Sequence, residues 1–256
     1  MFIYHFQQQM TMDAIEAMEQ RAGCRKYTDE VVDRELLGLV LDAGRVAPSA
    51  GNLQDRSFIV VKEEATRNAI ADACGNQVWM KSAPIHIIIV SEHKKTQKFY
   101  GDRGEKIYAI QDAAFSAENM LIAATHLGLG SSLVVGFKEE VVGELLKIPV
   151  PAKAYAIITL GHAQEKEKPS VKYPLERFVF LEAYDRKVEN LAVAFGEWST
   201  ARKQTVEKLG KESTKATKSI VEKIKSLFSR KKPEVQLEDH FMEDKKEEIP
   251  RQLPKQ

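Results

Sequence analysis

The spacing of apolar positions changes several times along the chain, and each change predicts an element. Residues 13–20 read as a helix opened by Asp13, a good N-cap. After Asp33, apolar Leu36, Val40, Ala43 and Ala47 recur at helical spacing, and Pro48 stops the run. "SFIVV" (57–61) is a β-branched strand, and residues 64–74 are helical. The unbroken apolar run "PIHIIIV" (84–90) predicts a strand buried on both faces. Residues 91–106, "SEHKKTQKFYGDRGEK", are polar with two glycines, which predicts a long loop of the lid or binding type. Residues 108–127 give the clearest helix; it is alanine-rich and apolar nearly all round, the pattern of a domain core or subunit interface, and Gly128 ends it. Strands at 131–135 and 154–160 follow, with a short helix at 138–147 between them and an extended arm at 172–185.

The character changes after about residue 200. Residues 202–230 carry nine Lys or Arg against three Glu, with a thin apolar stripe through Val206, Leu209, Ala216, Ile220, Ile224 and Leu227. That segment reads as a basic amphipathic helix for an anionic membrane surface or a protein partner, or as a solvated marginal helix. From Pro233 onward the chain is acidic and poor in large apolar residues, the composition of a disordered tail. The expected organisation is an extension at 1–11, a folded core at 12–200, a basic helix at 201–230 and an acidic tail at 231–256.

A net charge of +1 over 256 residues gives the chain no overall affinity for nucleic acid. No apolar run is long enough to span a bilayer, and "MFIYHF" is too short for a signal-peptide core, so a cytoplasmic protein is expected, with peripheral membrane contact open through the basic segment. Cys24 and Cys74 stand fifty residues apart, which argues against a disulfide or a cysteine-based metal site.

Four stretches could carry chemistry. The turn Arg21-x-Gly23-x-Arg25-Lys26-Tyr27 is either a solvated basic turn or a phosphate grip, since Arg offers paired donors to phosphoryl oxygens. "RVAPSAGNLQ" places Pro48, Ser49, Ala50 and Asn52 where small residues admit a flat ligand and carboxamides can pair with a polar edge; a loop capped by its own Asn and Ser is the alternative. "LGLGSSLVVGF" (127–137) surrounds a strand with glycines but lacks a dinucleotide fingerprint. Lys172 precedes "YP" in the fourth. His126 and His162 read as structural, and Cys24 sits among cations that could lower its pKa.

In this order and spacing, the four stretches resemble the FMN-dependent nitroreductase family over roughly residues 13–185. The resemblance implies an α+β fold: a three-layer sandwich with a central, mostly antiparallel sheet flanked by helices, in an intertwined homodimer with FMN at the subunit interface. It implies that Arg21 and Lys172 grip the FMN phosphate and that Gly23 lies in the same turn. Arg25 falls beside the flavin N1 and C2 carbonyl. The second subunit lays Pro48, Ser49, Ala50 and Asn52 against the ring, Asn76 faces the pyrimidine edge, and the backbone of Val135 and Gly136 runs beside N5 and O4. Trp79, Tyr100 and Tyr108 are candidates for the substrate pocket. The implied activity is ping-pong reduction of a small organic acceptor, such as a nitroaromatic or quinone, by NAD(P)H. The flavin would carry the hydride, with no catalytic side chain and no metal. Two alternatives are a non-catalytic flavin-binding or regulatory protein on the same fold and a specialised reductive dehalogenase. The chain departs from the family pattern at Gly23, where a Ser is usual, at Val135, where some members carry Glu, and at Trp79 and Ser170, which are basic in some members.

Overall fold

The β-branched runs pair into one open antiparallel sheet: β1 (Ser57–Val61), β2 (Ile85–Ser91), β3 (Gly130–Val134) and β4 (Lys153–Gly161), in the order β1-β2-β4-β3. The structure is a computed structural model and describes residues 12–165 and 167–196. The expected extension at 1–11, basic helix at 201–230 and acidic tail at 231–256 lie outside the described residues.

Helices cover both faces of the sheet. In chain order they are α1 (Ala14–Gln20), α2 (Arg34–Arg45), α3 (Glu64–Ala73), α4 (Lys94–Arg103), α5 (Ala109–His126), α6 (Glu139–Leu145) and α7 (Leu191–Phe195). Strand side chains alternate between faces, and β2 shows why it has no polar face. Ile85, Ile87 and Ile89 join Ala156, Ile158 and Leu160 under α2 and α5, where Leu36, Val40, Ala117 and Met120 complete one core. Ile88 and Val90 join Ile157, Val61 and Val134 under α3 and α6, where Ile70, Ala71 and Val142 complete the other. Two cores on opposite faces of one sheet make the three-layer α+β architecture. Gly44 lets α2 approach α5, because any side chain there would run into Met120.

The expected helix starts hold. Asp13 accepts the Glu16 backbone N–H at 2.9 Å and caps α1. The loop expected at 91–106 is instead α4 followed by one π-helical turn, Gly104–Tyr108, that runs directly into α5. The cap is what the pattern hid, for it comes from a distant residue. Buried Asp55 accepts from the Lys95 N–H, the Thr96 N–H and the Thr96 hydroxyl at 3.2, 3.1 and 3.1 Å. His93 turns the chain into the helix at φ 63°. Both glycines have structural tasks: Gly101 takes φ 57°, ψ −145°, a conformation that side chains disfavour, and Gly104 lies against the Thr96 carbonyl. The expected extended arm at 172–185 is interrupted by a 3₁₀ turn, Leu175–Arg177, which follows Pro174, and Arg177 stacks on the Tyr173 ring at 4.0 Å.

Candidate functional site

The basic turn runs as extended backbone along the free side of β3. Gly23 bridges Ser131 in parallel, and the Cys24 N–H donates to the Ser131 carbonyl at 2.9 Å. Ser132 Oγ donates to the Cys24 carbonyl at 2.7 Å. Tyr27 pins the far end, its hydroxyl 2.7 Å from Thr159 Oγ1 and 3.0 Å from the Cys24 carbonyl. Two-residue alternation then buries Cys24 and exposes Gly23 and Arg25. A side chain at Gly23 would crowd Ser132 Oγ at 3.2 Å, so the Ser usual in the family would meet a hydroxyl already in place.

An open cleft of about 520 Å³ lies beside this turn, within the ordinary range for ligand sites. Arg21, Gly23 and Arg25 line it together with Gln77, Trp79, Ser132 to Gly136, Glu167, Lys168 and Ser170. The pairing of β3 with β4 ends at Val134, so the backbone of Val135 and Gly136 leaves the ladder inside the cleft. Nothing lies within 4 Å of where a side chain on Gly136 would sit. Three cations face one carboxylate in the lining, so the balance stays positive even with Arg21 paired to Glu118 outside it, and exposed strand-end backbone meets them. That is the donor set for a ligand with an anionic end and a polar-edged body, and the residues present fit FMN.

The two arginines are held differently. Arg21 Nε lies 3.2 Å from the Glu118 carboxylate on α5. Arg25 places its guanidinium over the Trp79 ring, 5.8 Å from the centroid. The indole N–H donates to Gln77 Oε1 at 3.1 Å. Among the sequence-selected residues, Arg21, Gly23, Arg25, Trp79, Val135 and Gly136 therefore converge on one cleft. Asn76, at φ 55° in the turn after α3, and exposed Lys172 are not among the lining residues, whereas Lys168 is.

The 48–54 loop forms a second cluster. Ala50–Asn52 make a 3₁₀ turn, and Gly51 and Asn52 within it and Gln54 after it all take left-handed φ, at 54°, 55° and 52°. Gly and Asn tolerate that region best, which gives the composition of this stretch a backbone reason. Buried Asp112 on α5 accepts the Ala50 N–H at 3.0 and 3.3 Å through its two oxygens. Desolvation pushes the Asp112 carboxyl up, while the Ala50 N–H and the nearby Arg56 oppose the shift. Arg56 donates to the carbonyls of Arg45, Ala47 and Pro48, and Ser49 Oγ accepts the Gln54 N–H at 3.0 Å. Tyr100 closes over Gly51 and meets Tyr108 edge-on at 5.1 Å, so both tyrosines belong to this cluster rather than to the cleft lining.

The remaining candidates have other surroundings. Cys24 is buried, and desolvation pushes its thiol up rather than down, against the expectation from its cationic neighbours. His162 lies 4.0 Å from Glu30. Sequence reasoning missed Asp112, Asp55, Glu118, Gln77 and Lys168. Asp112 left a trace: it is an acid in an apolar, alanine-rich helix, set four residues before Ser116 on the buried side.

The family model described as "Nitroreductase family" matches residues 18–84 and 73–162, which is more than half of the chain. The chain belongs to the nitroreductase family. An NADH dehydrogenase of Thermus thermophilus is 29% identical over 195 residues, covering 66% of this chain and 95% of that protein. A putative NADH dehydrogenase/NAD(P)H nitroreductase of Methanothermobacter thermautotrophicus is 32% identical over 158 residues, covering 60% and 79%. The solved structure of the Vibrio harveyi NADPH:FMN oxidoreductase with NAD+ superposes with a TM-score of 0.62 at 23% identity, covering 78% of this chain and 91% of that one.

Proposed function

We propose that the protein is an NAD(P)H-dependent FMN oxidoreductase that reduces a small organic acceptor in ping-pong fashion as a homodimer. One observation carries the reading: Arg21, Gly23, Arg25, Trp79, Val135 and Gly136, selected from separate stretches, line a single positive cleft. Family membership and the FMN- and NAD(P)H-using relatives support it.

FMN, when bound, supplies hydride transfer between nicotinamide and acceptor. The chain supplies binding and orientation. Arg21 and Lys168 would hold the phosphate, with Lys172 on the same arm as Lys168 a further candidate. Arg25 would set a positive charge beside the flavin, and the strand-end backbone of Val135 and Gly136 would border it. Asn76, outside the lining, would offer an amide to the flavin only from the turn beside Gln77. Pro48, Ser49, Ala50 and Asn52 lie outside this cleft lining; in a homodimer, the partner's copy of the loop would cover the flavin. Asp112 and Arg56 hold that loop in its left-handed form. Ile107, Ile110 and Phe115 stand exposed on α5 and the turn before it, apolar surface suited to a subunit interface.

The test is titration of flavin-free protein with FMN. Wild type binds stoichiometrically, and Arg25→Ala keeps its fold while losing affinity by about 10-fold or more, in line with removal of a charged hydrogen-bond donor. An Arg25→Ala variant that binds FMN as wild type does would remove Arg25 from the site.

A further inference from the structure

We propose that Trp79 is a positioning residue for Arg25: the indole holds the guanidinium over the cleft without neutralising it, and so tunes how strongly the site favours electron uptake by the bound flavin. The inference rests on the reading of the cleft as an FMN site. It is carried by the difference between the two cleft arginines. Arg21 is tied through Nε to Glu118 at 3.2 Å, and the two formal charges largely cancel at a distance. Arg25 has an aromatic partner instead, 5.8 Å from guanidinium carbon to ring centroid. A ring quadrupole attracts a cation yet carries no net charge, so the full positive charge of Arg25 stays available to a ligand. Among the described residues, no carboxylate forms an ion pair with Arg25.

The indole can act as a fixed platform because its own segment is tied down. Its N–H donates to Gln77 Oε1 at 3.1 Å, and Gln77 Nε2 donates to the Cys74 carbonyl at 3.0 Å. Ser82 Oγ donates to the Trp79 carbonyl at 2.8 Å. Arg67 on α3 binds the carbonyls of Lys81 and Ala83, and Lys81 Nζ meets Asp72 at 2.7 Å. Arg25 itself sits exposed on extended backbone, where a long side chain without a partner samples many rotamers. Arg25, Gln77 and Trp79 all line the cleft, so the platform and the charge it carries face the same ligand. A lysine in place of the ring would add a second charge, and a glutamate would cancel the first; the indole does neither.

A double-mutant cycle tests this on the flavin-loaded protein, with the FMN dissociation constant and the midpoint potential of bound FMN as readouts. Wild type, Trp79→Leu, Trp79→Phe, Arg25→Gln and the Arg25→Gln/Trp79→Leu pair are compared. In the Arg25 background, Trp79→Leu moves the potential to a more negative value and weakens FMN about 2- to 5-fold, the range of one exposed cation–π contact. Trp79→Phe, which keeps a ring, retains most of both. In the Arg25→Gln background, Trp79→Leu adds no further shift. An equal shift in both backgrounds, or none in either, overturns the positioning role while leaving the flavin site intact. Wild-type protein that fails to bind FMN overturns the reading of the cleft and this inference with it. If Trp79→Leu does not fold, Gln77→Leu takes its place: loosening the indole shifts the potential in the same direction only when Arg25 is present, and an Arg25-independent shift overturns the role.

Discussion

His86 illustrates how one residue type takes its chemistry from its position. It lies wholly buried in β2, with Nε2 3.0 Å from the Met80 carbonyl, and burial lowers its pKa to about 4. The unfolded chain protonates such a group near pH 6.5, so between those values the unfolded state binds more protons. Stability from this residue is full above about pH 6.5 and is lost as the pH falls towards 4. Denaturant melts at pH 7.5 and 4.5 should show about 2–3 kcal/mol more acid loss in wild type than in His86→Gln. Equal losses would contradict the buried neutral imidazole. Asp112 makes a complementary case. Asp112→Ala leaves the Ala50 N–H without its carboxylate and should cost about 1–3 kcal/mol. The same variant should also weaken FMN binding if the loop covers the ring; unchanged stability and affinity would contradict its anchoring role. Residues of this kind were legible only in part. Arg21, Gly23, Arg25, Val135 and Gly136 stood out by order and spacing. Glu118, Gln77 and Asp55 did not, because each acts on a group far away in sequence or carries no motif.

At the scale of elements, periodicity predicted every strand and most helices within a residue or two, since one face or both faces of each are buried in a continuous core. It failed at α4. That helix is largely exposed and polar, so no apolar stripe announced it, and Gly101 within it and Gly104 just after it mimicked loop punctuation. Its N-terminus is held from a distance by Asp55. Asp55→Ala should therefore cost about 1–2 kcal/mol and act locally. Hydrogen exchange should quicken at the amides of Lys95, Thr96 and the next turn of α4, with β2 and β4 amides unchanged. Uniform acceleration across the sheet would show that Asp55 supports the whole fold rather than one helix.

At the scale of the whole molecule, the described chain holds a three-layer core, a positive cleft on one edge and a left-handed loop held elsewhere by Asp112 and Arg56. The proposed homodimer would give both the loop and the exposed apolar residues of α5 a task. Replacing Ile110 and Phe115 together by Glu should yield a monomer by sedimentation that has also lost tight FMN binding, because burying two carboxylates in such an interface is strongly unfavourable. A monomer with full FMN affinity would show that one chain builds the site alone. The most direct test of the account as a whole is the absorbance spectrum of the purified protein with FMN, recorded before and after anaerobic addition of NADH and then NADPH. Protein-bound flavin bands should bleach with at least one nicotinamide and return on addition of a quinone or nitroaromatic. Bound flavin that neither nucleotide bleaches, or no bound flavin at all, would contradict it.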